Sequence, residues 1–150
     1  MDKDDIIDTL NDLIETSKDG EYGFRSCAEH ASSSDLKANF EKHAKECARS
    51  AAELQSCVVQ LGGEPEDKGS ASGSAHRGWV ALRGSIAGYS DQAMLDECER
   101  GEDVALERYR DALDEDLPAA VRELVERQYR GVKRNHAEVR ALRDQLAASH

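Results

Sequence analysis

The hydrophobic and polar residues of this chain alternate with the period of an α-helix over four long stretches. Apolar residues return at alternating steps of three and four, which places them along one face of each stretch. The pattern predicts helices over about residues 3–31, 35–62, 91–113 and 118–147. Residues 63–90 are rich in Gly, Ser and Asp in their first half and are expected to connect the second and third helices.

Residues with strong capping preferences mark the ends of these stretches. The polar cluster at residues 32–35 offers N-cap side chains for the second helix, and Ser90 does the same for the third. Gly62 and Gly63 end the second helix, because glycine adopts the left-handed conformation of a C-terminal cap without strain. Pro118 suits the first turn of the fourth helix, where no backbone N–H is required.

The lengths of the connections predict how the helices are arranged. Short turns join the first helix to the second and the third to the fourth, so each pair is expected to form an antiparallel hairpin. Residues 63–90 form a long crossover, in which residues 76–86 are expected to make a short helix. The sequence therefore predicts an all-α, ferritin-like antiparallel four-helix bundle, a single domain over residues 1–150. An up-down-up-down bundle with a loose second connection is the competing arrangement.

Composition and charge narrow the possible functions. The 150 residues are 39% hydrophobic and 34% charged, which is typical of a charge-rich helical protein. A formal net charge of −11 would repel the phosphates of nucleic acid and anionic membranes, so neither is expected as a partner. The acidic start does not resemble a secretory signal, and the four cysteines include no C-x-x-C pair. We therefore expect a cytoplasmic protein with reduced, buried thiols.

The middle of the four apolar faces is polar, and this is the most informative feature of the sequence. Buried polar side chains lower stability unless they are hydrogen-bonded or bind something. The central positions therefore indicate either an internal hydrogen-bond network or a binding site. They are Ser17 and Gly20 in the first helix, His43 and Cys47 in the second, Glu102 in the third, and Gln128 and Asn135 in the fourth.

One interpretation of the polar centre is a metal site. If the second and third helices run parallel, Glu21, His43, Glu46, Glu99 and Glu102 lie at similar heights near the middle of the bundle. Carboxylates and imidazole are the ligands that helical bundles use for iron or manganese. The sequence therefore indicates iron or manganese as the candidate metals if a metal binds. The default expectation is that the protein binds no cofactor.

A simpler interpretation assigns the same residues to ion pairs. The usual dinuclear bundle site needs Glu-x-x-His on two helices, and the chain contains no such motif. Counting residues outward from the connection between the third and fourth helices places Arg130 and Lys133 opposite Glu99 and Glu102, where the cations would neutralise the carboxylates. Any metal is then expected in a mononuclear or otherwise non-standard site.

The remaining motifs are weaker indications of function. Cys27-x-x-His30 and His43-x-x-x-Cys47 have the spacing of zinc ligands on helices, but the two pairs lie at different heights. The chain has no motif for nucleophilic catalysis, phosphate binding or dinucleotide binding, so no catalytic residue is assigned and an enzyme is not the favoured expectation.

The crossover carries the one tryptophan of the chain. Trp79 and His76 are expected to anchor the crossover on the bundle, or alternatively to contact a ligand or a protein partner. The second possibility would make the protein an interaction module.

Several blocks of the sequence resemble a mainly proteobacterial family of four-helix-bundle proteins, classed as a domain of unknown function in the ferritin-like superfamily. The resemblance spans almost the whole chain and implies a ferritin-like bundle in the bacterial cytosol, without an established activity or cofactor. The blocks are Leu10-Asn11-Asp12-Leu13-Ile14-Glu15, Lys18-Asp19-Gly20-Glu21, Leu61-Gly62-Gly63-Glu64-Pro65-Glu66, His76-Arg77-Gly78-Trp79, Glu97-Cys98-Glu99-Arg100-Gly101-Glu102-Asp103, and Arg127-Gln128-Tyr129 with Asn135-His136.

The resemblance also changes which residues are favoured as metal ligands. Glu21, Glu99, Glu102 and His136 lie in or beside its blocks, whereas no block surrounds His43. The sequence thus predicts an uncharacterised bundle that self-associates through a helix face. The alternatives are a metal-binding or redox protein and an interaction module.

Overall fold

The computed structural model describes residues 1–66 and 90–149 of the chain, which form four α-helices. They are α1 (Lys3–His30), α2 (Ser34–Gln60), α3 (Asp91–Leu113) and α4 (Ala119–Ala148). No strand occurs among these described residues, which confirms the all-α prediction. The short helix expected at residues 76–86 lies outside the described residues.

Side-chain caps and a glycine turn define the helix ends. Ser33 Oγ accepts a hydrogen bond of 3.1 Å from the backbone N–H of Leu36, and Ser90 Oγ accepts one of 3.1 Å from the N–H of Ala93. These bonds satisfy backbone donors that have no partner in the first turn of a helix. After α2, Gly62 has a φ of +84°, a conformation that residues with a Cβ rarely adopt.

Hydrogen bonds at the two ends of the bundle establish the helix directions. The N–H of Ser32 donates to Asp91 Oδ1 over 3.1 Å, so α3 begins beside the start of α2. Thr9 Oγ1 donates to Glu115 Oε2 over 2.5 Å, so the end of α3 lies beside the start of α1. Since α2 and α3 start at the same end, they run parallel, and the end of α2 lies at the opposite end of the bundle from the start of α3.

The interior consists of two apolar clusters with a polar layer between them. One cluster fills the end where α1 begins, and the other fills the end where α1 meets α2. The buried Ser17, Glu102 and Gln128 lie between the clusters along their helices. This division places the functional candidates in the middle of the bundle. The first cluster includes Leu10, Leu13, Leu54, Val58 and Val125, and the second includes Phe24, Phe40, Met94, Leu95 and Val139.

Candidate functional site

A cavity of about 290 Å³ occupies the polar layer between the two apolar clusters. All four helices contribute to its lining, and Gly20 allows α1 to approach α2 closely. A Cβ at Gly20 would lie 2.9 Å from Cys47 Sγ, closer than such atoms normally come. The polar residues that line it include Ser17, Glu46, Glu102, Tyr109, Gln128 and Asn135.

Glu102 is a buried carboxylate that lines this cavity, as is Asp19. Glu102 is 7% exposed, and its Oε1 has no hydrogen-bond partner among the described residues. Burial raises the pKa of Glu102 well above its ordinary value, and the negative charges of Asp103, Glu138, Glu46 and Glu99 raise it further. The protonated form of Glu102 is therefore favoured in the folded protein.

A hydrogen-bond network fixes Gln128 on one side of the cavity. Its Oε1 accepts from the Tyr109 hydroxyl over 2.8 Å, and its Nε2 donates to the Ser50 carbonyl and to Glu53 Oε1. Arg127 donates to Glu53 over 2.9 Å and extends the network to the surface. Gln128 is thus held by the protein itself.

The cavity residues Glu46 and Cys47 are also poorly suited to bind a metal. Asn135 Nδ2 donates to Glu46 Oε2 over 2.6 Å, which engages one oxygen of that carboxylate. Burial raises the pKa of the Cys47 thiol far above its usual range, and Glu102, Glu46 and Glu21 add to this effect. Since the thiolate is the metal-binding form of cysteine, Cys47 is not prepared to bind a cation.

Glu21 is buried near the cavity but is neutralised by its own helix. Its Oε2 accepts from Arg25 over 2.5 Å, and Lys18 Nζ lies 3.7 Å from its Oε1. These contacts within α1 give Glu21 an ion-pairing role in the structure.

His43 is fully buried against the aromatic side chain of α1. Its ring stacks on Phe24 with centroids 5.1 Å apart, and its Nε2 lies 3.8 Å from Glu138 Oε1. Burial lowers the pKa of His43, whereas the charges of Glu138 and Glu46 raise it and that of Lys42 lowers it. Burial is the largest of these effects, so His43 is a neutral core residue.

A second group of donors lies on the outer side of the α3–α4 pair. The ligand atoms of Glu99, Asp103 and His136 all lie within 4.8 Å of one another. His136 Nε2 is 2.6 Å from Asp103 Oδ1, and Arg143 donates to Glu99 Oε2. Asp103 is exposed, whereas Glu99 and His136 are largely covered. This is the one metal-ligand group of three or more that the structure forms among residues 1–66 and 90–149.

The structure brings together some of the predicted ligands and separates others. Glu99 and His136 meet, while Glu102 faces the central cavity and Glu21 pairs within α1. Sequence reasoning missed Asp103, although it follows Glu99 by four residues and so lies on the same side of α3. The predicted contact residues His76 and Trp79 lie outside the described residues.

The central residues do not fit the dinuclear centre found in many bundles of this architecture. Such a centre uses a glutamate from each of two helices and a Glu-x-x-His pair from each of the others. The residues three before His43 and His136 are Phe40 and Lys133. The polar layer also lacks a group of three metal donors among the described residues.

Comparisons with known proteins define the class of the fold as a ferritin-like four-helix bundle. The chain belongs to the family described as a domain of unknown function, DUF2383, whose model matches residues 5–115. No curated protein sequence matches the chain. The ferritin-like part of the fold prediction is thereby confirmed.

Three solved structures illustrate the similarity. A variant of Dps1 from Mycobacterium smegmatis has 16% identity and a TM-score of 0.77, covering 94% of this chain and 96% of its own. The bacterioferritin-related protein from Bacteroides fragilis, described as a dodecameric thioferritin, has 16% identity and a TM-score of 0.78, with coverages of 99% and 90%. A ferritin-like diiron-carboxylate protein from Bacillus anthracis has 17% identity and a TM-score of 0.75, with coverages of 95% and 99%. At these identities the similarity establishes the fold alone.

None of the helices in the described part of the chain is long and apolar enough to cross a bilayer.

Proposed function

We propose that this protein is a ferritin-like bundle that binds one divalent transition-metal ion at Glu99, Asp103 and His136. The observation that carries the proposal is the approach of these three donors to within 4.8 Å of one another. They come from two adjacent helices, so a bound ion would also link α3 to α4. The site is distinct from the central cavity and has no assigned catalytic step.

The donor types favour particular ions. Two carboxylates and one imidazole suit Mn²⁺, Fe²⁺ or Zn²⁺, whereas Mg²⁺ and Ca²⁺ prefer sites made wholly of oxygen ligands. The largely covered Glu99 and His136 limit access of water to one side of the site, and the exposed Asp103 provides the entrance.

Substitution of the ligands tests the site. We expect each of three substitutions to weaken binding of Mn²⁺ and Zn²⁺ by about tenfold or more: Glu99→Gln, Asp103→Asn and His136→Gln. Even a change in a residue that only hydrogen-bonds to a metal ligand has an effect of about this size. Electron paramagnetic resonance measures free Mn²⁺, and calorimetry measures Zn²⁺ binding. Glu97→Gln is the matched control, since Glu97 also lies on α3 and pairs with an arginine, Arg100. Equal affinity in the wild type and all three ligand variants would contradict the proposal.

Arg143 is expected to compete with the metal for Glu99. Its guanidinium donates to Glu99 Oε2 and to Asp144, so it places a positive charge at the site. Arg143→Gln should therefore strengthen Mn²⁺ binding by a few-fold, because an exposed ion pair is weak and the change removes only that competition. Arg127→Gln removes an arginine that is paired with Glu53 elsewhere on the bundle and should leave the affinity unchanged. Weaker binding in Arg143→Gln would show that Glu99 is not a ligand.

We also propose that the protein self-associates in the bacterial cytoplasm. The relative from Bacteroides fragilis is described as dodecameric, which supports assembly of copies of this chain. Light scattering is expected to give a mass several times the 16.5 kDa of one chain. A monomer at all concentrations would contradict the assembly, and the cytoplasmic and proteobacterial setting stays a prediction.

A further inference from the structure

The central cavity contains a buried acceptor that the protein does not use. Glu102 is more than nine-tenths buried, lines the cavity, and leaves its Oε1 without a hydrogen-bond partner among the described residues. Buried polar atoms are nearly always paired with protein, water or ligand. The unpaired oxygen is therefore a position at which a hydrogen-bond donor, either a water or a ligand, can bind in the cavity.

The charges at the side of the cavity between α2 and α4 are mainly positive. Exposed Arg49 lines the cavity from α2, and exposed Arg127 and Arg134 line it from α4. Arg127 pairs with Glu53, whereas Arg49 and Arg134 form no ion pair within 4.0 Å in the described ranges, although the charge of Arg49 lowers the pKa of Glu53. In a chain with a net charge of −11, three arginines thus line this side of the cavity beside the carboxylate of Glu46.

Part of the cavity wall is apolar or small, beside the polar residues named above. Phe24, Val104 and Val132 line the cavity, and Gly131 leaves space where a side chain would stand. A Cβ at Gly131 would meet only the end of the Arg134 side chain, at 3.5 Å. The cavity of about 290 Å³ is roughly twice the ~150 Å³ that accommodates benzene in an engineered protein. A substituted ring or a branched chain of that size would fit.

We propose that the central cavity binds a small organic acid with an apolar body and a hydroxyl group at the far end. The carboxylate meets Arg49 and Arg134 at the entrance, and the hydroxyl donates to the buried Glu102. The apolar body lies against Phe24 and Val132. This arrangement satisfies the buried acceptor and the unpaired cations together, and it is independent of the proposed metal site.

Binding of model compounds tests the chemistry of the ligand. The probe is 4-hydroxyphenylacetate, and calorimetry or ligand-observed NMR measures its affinity for the wild-type protein. Phenylacetate lacks the hydroxyl and is expected to bind about tenfold more weakly, the usual effect of losing a hydrogen bond to a charged or polar buried group. Tyrosol carries the hydroxyl but no carboxylate, and should also bind more weakly. Equal affinities for the three compounds would overturn the proposal.

Variants of the cavity test its location. Glu102→Leu is expected to abolish the preference for 4-hydroxyphenylacetate over phenylacetate, because it removes the acceptor for the hydroxyl. Arg134→Gln should weaken both acids, whereas Arg140→Gln, a change of an exposed arginine that does not line the cavity, should weaken neither. A persistent preference in Glu102→Leu would exclude the proposed orientation.

A third variant distinguishes a blocked cavity from an unfolded protein. Gly131→Leu fills the cavity from α4 and favours helix formation, so the protein should remain folded and lose binding of both acids. Circular dichroism measures the folding, and Mn²⁺ titration measures the separate metal site. Binding of 4-hydroxyphenylacetate by folded Gly131→Leu with unchanged affinity would overturn the proposal.

Discussion

Replacing Glu102 with leucine is expected to stabilise the protein at pH 8. The wild-type side chain is 7% exposed and has an oxygen without a partner among the described residues, in an environment of four other carboxylates. An unpaired buried polar group typically lowers stability by about 1–3 kcal/mol, and leucine removes it while retaining apolar volume. Urea unfolding monitored by circular dichroism should therefore show a higher free energy of unfolding for Glu102→Leu.

The pH dependence of stability provides the control for this prediction. Because burial raises the pKa of Glu102 in the folded state, the folded protein retains a proton that the unfolded chain releases. This group thus contributes most below its unfolded pKa of about 4.5, and its contribution falls as pH rises toward the folded pKa. Glu102→Gln should abolish that part of the decline, whereas Glu97→Gln should retain it. Identical pH profiles for the wild type and Glu102→Gln would contradict the raised pKa.

A polar layer that lowers stability is consistent with a functional role for the middle of the bundle. The Tyr109 hydroxyl donates a hydrogen bond to Gln128, and the Asn135 side chain donates one to Glu46, so most polar side chains of the layer have partners within the protein. Glu102 Oε1 and both ring nitrogens of His43 are the exceptions, with no hydrogen-bond partner among the described residues. Natural proteins retain such residues mainly where activity or binding requires them. The stabilising effect of Glu102→Leu and its loss of ligand preference are therefore two consequences of one feature.

The helices were predictable because their signals are local. Periodicity identified all four, and the cap at Ser33 and the turn at Gly62 lie where the sequence placed them. The register of α1 against α2 could also be predicted by counting residues outward from the turn between them, because a short connection leaves little freedom. Gly20 faces Cys47 directly, in agreement with their positions in the two apolar stripes.

The candidate site was less predictable because it depends on contacts between helices. Glu99 pairs with Arg143, about three turns further along α4 than the Arg130 and Lys133 expected from counting. The turn at residues 114–118, which begins with Asp114 in a helical conformation, sets the register of α4 on α3, and no periodicity encodes it. Asp103 was missed for the same reason, because only the position of His136 on α4 makes it a potential ligand.

Acidification is expected to destabilise the protein through His43. Burial lowers the pKa of His43 in the folded state, so the unfolded chain binds a proton that the folded protein excludes. Stability should therefore fall as pH decreases below the unfolded pKa of about 6.5, with a slope approaching about 1.4 kcal/mol per pH unit until the folded pKa is reached. Glu138 and Glu46, which face the ring, raise the folded pKa and shorten this pH interval, whereas Lys42 lowers the folded pKa and lengthens it.

Comparison of His43→Leu with the wild type isolates this contribution. Leucine can pack against Phe24 and does not titrate, so the variant should lose less stability than the wild type between pH 7 and pH 5. His30→Gln is the matched control, because His30 lies at the end of α1 and bonds to the Ser26 carbonyl outside the polar layer. Urea unfolding at each pH measures the difference. Because Glu102 lowers stability toward high pH and His43 lowers it toward low pH, the double variant Glu102→Gln/His43→Leu should show the smallest change of stability with pH. Parallel curves of stability against pH for His43→Leu and the wild type would show that His43 is not a buried neutral residue.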